Sequence, residues 1–280
     1  NNERTIAEVA TKAKAGGFDV LVVNDGSTDG TSEALGKVDV EVLTFPENRG
    51  KGAAILAGAA WAEERDYSHL ITMDADGQHF PEEAPRFLAK LQEDPFTIVI
   101  GNRAFPKHVP LGSRIGRINS NFWIKMATGF GLPDTQCGYR AYPVEALTQI
   151  QCGTSKYDFE IEIIVRGAWA GLNLDWVDVS VYYSEETNKG SHLHPLWDNL
   201  RCAWVFIKLV FRNFVPWPHQ IMFGERRGDK IRHFIRNPWT GFKQLVKERT
   251  SAKEIALACA LGILLGTWPL FACHSVAIVF

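Results

Sequence analysis

Leu70-Ile71-Thr72-Met73-Asp74-Ala75-Asp76-Gly77-Gln78-His79 is the stretch whose reading decides the fold of this chain. The run from Leu70 to Met73 is short, uncharged and followed by a polar turn, the pattern of a buried strand. Two carboxylates, Asp74 and Asp76, stand at its C-terminal end around a small Ala75. In extended backbone, residues i and i+2 point to the same side, so both carboxylates face one point. A hard divalent cation prefers oxygen ligands, and two carboxylates with phosphate oxygens are a common way to hold Mg2+ or Mn2+ beside a nucleotide. Gln78 continues the same-side spacing and is a third candidate ligand, directly or through water. By itself Asp-Ala-Asp fits a solvated Asx turn equally well, so its surroundings decide.

Working outward, apolar strand patterns alternate with helical ones. Helices are predicted from Asn2-Glu3 to Gly16-Gly17, over 32–35, 53–65, 81–92, 113–126, 158–169 and 196–214. Strands are predicted over 18–23, 38–45, 70–73, 97–100 and 173–183, with a further strand following the loop at 132–140. This alternation predicts an α/β fold with a doubly wound, mostly parallel sheet. Ligands of such sheets bind beyond the C-terminal strand ends. The polar loops at Asp25, Asn48 and Asp74 all lie there and are expected to converge on one crevice.

The 280 residues fit one large domain with a smaller appendage, and a hydrophobic content of 46% is ample for a core. The net charge of −2 conceals an asymmetry: residues 201–250 carry eleven Lys/Arg against three Asp/Glu, an excess of eight. An acidic first part followed by a basic segment points to an anionic membrane surface and away from nucleic acid. Five widely spaced cysteines without a Cys-x-x-Cys pair read as reduced cytosolic thiols, with neither a disulfide framework nor a zinc site. Ile255–Phe280 contains no Lys, Arg, Asp or Glu. As helix it would reach about 39 Å, beyond the roughly 30 Å hydrocarbon core, but Gly262, Gly266 and Pro269 interrupt it. A membrane-embedded segment broken near Pro269 is expected. Leu196–Phe214 interleaves Trp197, Trp204, Phe206, Phe211 and Phe214 with Arg201, Lys208 and Arg212, as a helix lying in a membrane interface would; core packing is the alternative.

Val23-Asn24-Asp25-Gly26-Ser27-Thr28-Asp29, Asn48-Arg49-Gly50-Lys51-Gly52, Asp74-Ala75-Asp76-Gly77-Gln78 and Asp134-Thr135-Gln136-Cys137-Gly138-Tyr139-Arg140 occur in this order. Together they resemble a family-2 glycosyltransferase of the dolichyl- or polyprenyl-phosphate sugar synthase type, and the last motif is most similar to the glucosyl-phosphodolichol branch. The resemblance covers roughly residues 1–200. Residues 237–280 more loosely resemble a small uncharacterised membrane domain that follows such transferases. The family opens with an apolar strand before its first helix, so the expectation is a GT-A sheet lacking its first strand, in a chain cut at both ends. The expected organisation is a GT-A domain over 1–195, an amphipathic interface helix and basic linker over 196–236, and an incomplete membrane-associated helical domain over 237–280.

The resemblance implies inverting, metal-dependent transfer of a sugar from a nucleoside-diphosphate sugar to a membrane lipid, foremost polyprenyl phosphate. Asp74, Asp76 and Gln78 would hold Mg2+ or Mn2+, and Asp76 would be catalytic through that cation. Glu3, Asp25, Lys51 and Asp74 would bind the nucleotide-sugar. Asp25 alternatively caps the following helix. Arg103, Arg114 and Arg117 lie where the family grips a lipid phosphate, a geometry suited to guanidinium forks. Lys189 and His192 fall in the family's basic lid loop, which here departs from the usual pattern, with Glu186 and His192 where Arg and Lys are expected. A hydroxyl acceptor would need a base, for which Asp134 is the candidate and Glu160 the second; ion pairing of Asp134 with Arg140 is the structural alternative. Sugar transfer to a hydroxylated lipid, a noncatalytic membrane-tethered sugar-nucleotide binder and a nucleotidyltransferase are the competing functions. The expected location is a membrane, with the catalytic domain on its cytoplasmic face.

Overall fold

The computed structural model describes residues 1–104, 111–182, 195–214 and 221–223, all within one compact unit. Helices and strands follow in the order α1 (Ile6–Ala15), β1 (Leu21–Asp25), α2 (Thr31–Leu35), β2 (Glu41–Phe45), α3 (Lys51–Glu63) and β3 (His69–Thr72). A short 3-10 turn (Pro81–Glu83) then leads into α4 (Ala84–Glu93), β4 (Thr97–Arg103), α5 (Leu111–Thr128), β5 (Arg140–Pro143) and α6 (Val144–Gln149). The chain continues through α7 (Phe159–Ala170), β6 (Asn173–Val179) and α8 (Pro195–Phe214).

The alternation read from the sequence is present, with mixed strand directions. β1 and β2 pair in parallel, and β4 and β6 pair in parallel from Thr97↔Asn173 to Arg103↔Val179. β5 runs antiparallel between β3 and β4, so the larger sheet has the order β3-β5-β4-β6. Hydrophobic periodicity fixes which residues face the core but not which way a strand runs, and β5 is only four residues long. Among the described residues no ladder joins β1 to β3, and α3 packs across both strands.

Several boundaries differ from the expected ones for local reasons. β1 and β2 begin three residues later than the apolar runs suggest, because Phe18–Val20 and Val38–Val40 are loop. α3 starts at Lys51, directly after Gly50, whose φ of 98° only glycine adopts without strain. β4 runs on through the polar Gly101–Arg103, held by β6 on one edge. α6 was not expected: its six residues carry too short a pattern. α7 is buried nearly all round, from Phe159 to Val165, and takes Glu160 and Glu162 inside with it. It packs against the Ile98-Val99-Ile100 centre of β4, together with Tyr142, Phe87 and Leu172.

α8 packs one face into the core and leaves the other exposed. Val205, Phe206 and Leu209 join the core against α5 and α7, while Trp204 (57%), Ile207 (50%) and Phe211 (71%) stand exposed. α5 has a similar outward stripe of Ile115, Ile118, Phe122 and Met126, all at least half exposed. Among the described residues no helix is long and apolar enough to cross a membrane. The tail at 237–280, the basic segment beyond Phe223 and the loop carrying Lys189 and His192 lie outside the described residues.

Candidate active site

The first loop, after β1, is tied to the second, after β2. The Asp25 carboxylate accepts the backbone N–H groups of Arg49 (2.6 Å) and Gly50 (2.8 Å). It therefore caps the approach to α3 and not the following helix α2. Gly26 permits this closure: a Cβ there would lie 2.5 Å from the Asn48 nitrogen. Glu3 reaches the same loop from the other side, accepting the Gly30 N–H at 2.8 Å. Thr5 hydroxyl donates to the Ala75 carbonyl at 2.6 Å, linking the start of α1 to the Asp-Ala-Asp turn. The three loops do meet at the C-terminal ends of β1 and β3.

At the end of β3, Lys51 Nζ lies 2.7 Å from Asp74 Oδ1 and 3.1 Å from Glu160 Oε2. Burial alone would lower the lysine pKa and raise that of Asp74. The ion pair outweighs burial on both sides, leaving Lys51 raised and Asp74 lowered from their ordinary values. Asp76 accepts the Gln78 backbone N–H at 2.9 Å, so the Asx turn anticipated as the alternative exists within the candidate site. Its carboxyl is raised, chiefly by burial, with the Asp74 charge adding to the effect. Behind these groups Arg140 is fully buried. It donates to the carbonyls of Cys137 (2.6 Å), Glu160 (2.8 Å) and Thr135 (3.1 Å), and its guanidinium is 3.5 Å from Glu160 Oε1.

The chemistry of this donor set fits a divalent cation. Two carboxylates stand at the end of β3, Asp74 partnered by the Lys51 ammonium and Asp76 with its carboxyl raised by burial and by the neighbouring Asp74 charge, which a cation would offset. Among the described residues no cluster of three or more His, Cys, Asp or Glu forms a metal cage. The remaining ligands would therefore come from water, the Gln78 amide or a bound phosphate.

On the other flank Asp134 is completely buried against Arg103. The guanidinium makes a bidentate pair, Nε to Oδ2 at 2.8 Å and Nη2 to Oδ1 at 3.1 Å. The partner of Asp134 is thus Arg103, with Arg117 at 3.8 Å, and not Arg140. Arg117 also donates to the Pro133 and Arg103 carbonyls (2.8 and 3.0 Å) and to Asn102 Oδ1 (2.8 Å). Asn121 and Ser120 of α5 hold the same loop through Pro133 and Thr135. Arg103, Arg117 and Asp134 are brought together, then, with Arg114 one helical turn along α5. His79 lies inside, its Nε2 3.8 Å from Cys137 Sγ. Burial pushes His79 down to about 4 and Cys137 up to about 12, so both are neutral near pH 7.

The groups absent from the expected ligand set are Arg140 and the inward role of Glu160. The signal was present: acids at 160 and 162 in an otherwise apolar helix cannot all face water. Glu160 was expected only as a second candidate base, and its ion pair with Lys51 joins residues 109 positions apart, which sequence spacing does not reveal.

Fold and site together define a glycosyltransferase of GT-A architecture. The model for Glycosyl transferase family 2 matches residues 1–150, more than half of the chain, and the chain belongs to that family. It is 34% identical over 179 residues to undecaprenyl-phosphate mannosyltransferase of Micrococcus luteus, covering 60% of this chain and 72% of that one. It is 35% identical over 179 residues to polyprenol monophosphomannose synthase of Mycolicibacterium smegmatis, covering 59% and 66%. Among solved structures it is similar to glucosyl-3-phosphoglycerate synthase of Mycobacterium tuberculosis in complex with Mn2+ and uridine-diphosphate-glucose. That likeness has a TM-score of 0.59 at 19% identity, over 78% of this chain and 77% of that one, and concerns the fold.

Proposed function

We propose that this glycosyltransferase moves a sugar from a nucleoside-diphosphate sugar onto polyprenyl phosphate at a membrane surface, in one inverting displacement. The observation that carries the reading is the meeting of Asp74, Asp76 and Lys51 at the mouth of β3, beside the loop closed by Asp25. The names of the two bacterial relatives supply the acceptor class.

In this reading Asp74 and Asp76, with Gln78, hold Mg2+ or Mn2+, which when bound neutralises charge on the departing diphosphate. Glu3 and Asp25 shape the nucleotide pocket by fixing the 25–30 and 48–50 loops, and Lys51 adds a positive charge at its floor. Arg103, Arg114 and Arg117 provide the positive field for the acceptor phosphate. Asp134 orients Arg103 and Arg117; both its oxygens are taken by guanidinium and by the Gln136 N–H at 3.1 Å. A carboxylate so occupied is poorly placed to remove a proton, which favours an acceptor that is already anionic. Lys189 and His192 complete this proposal as a basic lid over the phosphate.

The exposed apolar stripes of α5 and α8 support contact with the bilayer interface, Lys208 lying 5.4 Å from the ring of Trp204. The basic segment over 201–250 would add attraction to an anionic, cytoplasmic leaflet. The division that goes with this proposal is catalytic to about residue 195, interfacial to 236 and membrane-associated beyond.

The test is a product assay on the full chain, offering a panel of sugar nucleotides with polyprenyl phosphate or the corresponding polyprenol. Sugar appearing only on the phosphate supports the reading. Transfer to the polyprenol moves the acceptor to a hydroxylated lipid, and nucleotide-sugar binding without product from either leaves a noncatalytic binder.

A further inference from the structure

Lys51 is held where two carboxylates compete for it. Its ammonium touches Asp74 at 2.7 Å and Glu160 at 3.1 Å, and its side chain is only 18% exposed. The surrounding backbone leaves it little room. A Cβ at Gly138 would sit 2.5 Å from Lys51 Nζ and closer still to Asp74 Oδ2. The start of α3 abuts the start of α7: a Cβ at Gly52 would lie 2.5 Å from Phe159 Cβ, and Ala53 N–H donates to the Ser155 carbonyl at 3.0 Å. Glu160 is itself buried, and its Oε1 makes no hydrogen bond, with only the Arg140 guanidinium at 3.5 Å. It therefore has acceptor capacity to spare, beside a lysine it already touches. A buried carboxylate oxygen without a hydrogen bond is costly, and its use in a second state of the protein would account for its retention.

We propose that Lys51 and the divalent cation exchange on Asp74, and that Glu160 is the positioning residue that takes up the displaced ammonium. This rests on the reading that Asp74 and Asp76 bind a metal. In the metal-free protein the lysine neutralises Asp74 and offsets its repulsion of the neighbouring Asp76 and Glu160 carboxylates. When the cation arrives, an ammonium cannot remain at contact distance from the same oxygen. It shifts toward Glu160, the neighbouring anion, and stays close enough to face a bound diphosphate. Glu160 thus sets how readily Asp74 is released to metal.

The test is Mn2+ binding alone, without nucleotide, followed by paramagnetic resonance of the free ion in the full chain. Lys51→Met should tighten Mn2+ binding about ten- to a hundred-fold, the range for releasing a charged hydrogen-bonded partner. Glu160→Gln should weaken Mn2+ binding when Lys51 is present and leave it unchanged in the Lys51→Met background. Equal weakening in both backgrounds, or no tightening in Lys51→Met, would overturn the exchange. Glu160→Asp withdraws the carboxylate from Lys51 while retaining a charge for Arg140. It should reproduce the same coupling if Glu160→Gln does not fold. Mn2+ binding indifferent to Asp74→Asn and Asp76→Asn would instead remove the metal site itself, a failure separable from that of the exchange.

Discussion

Gly138→Ala isolates the site from the fold with one methyl group. The added Cβ would lie 2.5 Å from Lys51 Nζ, where ordinary van der Waals contact begins at 3.4 Å, and still closer to Asp74 Oδ2. The pair must retreat by about 1 Å. Both atoms end flexible side chains, and Gly138 does not occupy the left-handed region, so the backbone accepts alanine. The expected stability loss is under about 1 kcal/mol, or about 2–4 °C in Tm for a domain of this size. Displacing a positioning group by about 1 Å costs on the order of 10²-fold in rate, equivalent to about 2.7 kcal/mol of transition-state stabilisation. The assay is release of nucleoside diphosphate beside a melting curve, with Gly131→Ala as a control because nothing lies within 4 Å of its added Cβ. The control should match wild type. A Gly138→Ala protein with wild-type kcat/KM would refute the placement of Asp74 and Lys51 at the reaction centre.

Two further outcomes follow from the same contacts. Arg117→Ala, which removes donors to Pro133, Arg103 and Asn102, should lower stability by about 2–3 kcal/mol and raise the acceptor requirement about ten- to a hundred-fold. Asp134→Asn should cost less than that in the chemical step; an acceptor titration with melting controls ranks the two, and the reverse order would indicate a hydroxyl acceptor. Burial would raise the Glu162 pKa, but bonds from Thr154, the Gly153 N–H and Arg166 outweigh it and hold the carboxyl below its ordinary value. The unfolded chain then binds more protons than the folded one as pH falls below about 4.5, and this contribution, present above that pH, is lost on acidification. Chemical denaturation from pH 6 to 3 should show a shallower acid loss in Glu162→Gln than in wild type.

Much of the architecture was legible because its signals are local. Ile6 and Ala10 mark the inner face of α1 and Gly16 its end, as the spacing suggests. The loops at Asp25, Asn48 and Asp74 converge because strand ends in such sheets place them together. The antiparallel insertion of β5 was not legible, since pairing direction depends on partners distant in sequence. Nor was the assignment of ion pairs: Asp134 could be placed beside an arginine, but choosing Arg103 over Arg140 needs the path of the loop in space. Asp25 shows the same limit. A carboxylate before a Gly-Ser-Thr turn suggests a local cap, whereas its partners are 24 and 25 residues away.

The central claim is that Asp74 and Asp76 act on the nucleotide-sugar through a divalent cation. Asp76→Asn keeps the size of the side chain and can still accept the Gln78 N–H that closes the turn, but removes the charge. Turnover measured across a Mn2+ series, beside a melting curve, tests the claim most directly. The melting transition should stay intact while turnover is lost at every Mn2+ concentration; full activity at ordinary Mn2+ would remove the metal role of Asp76.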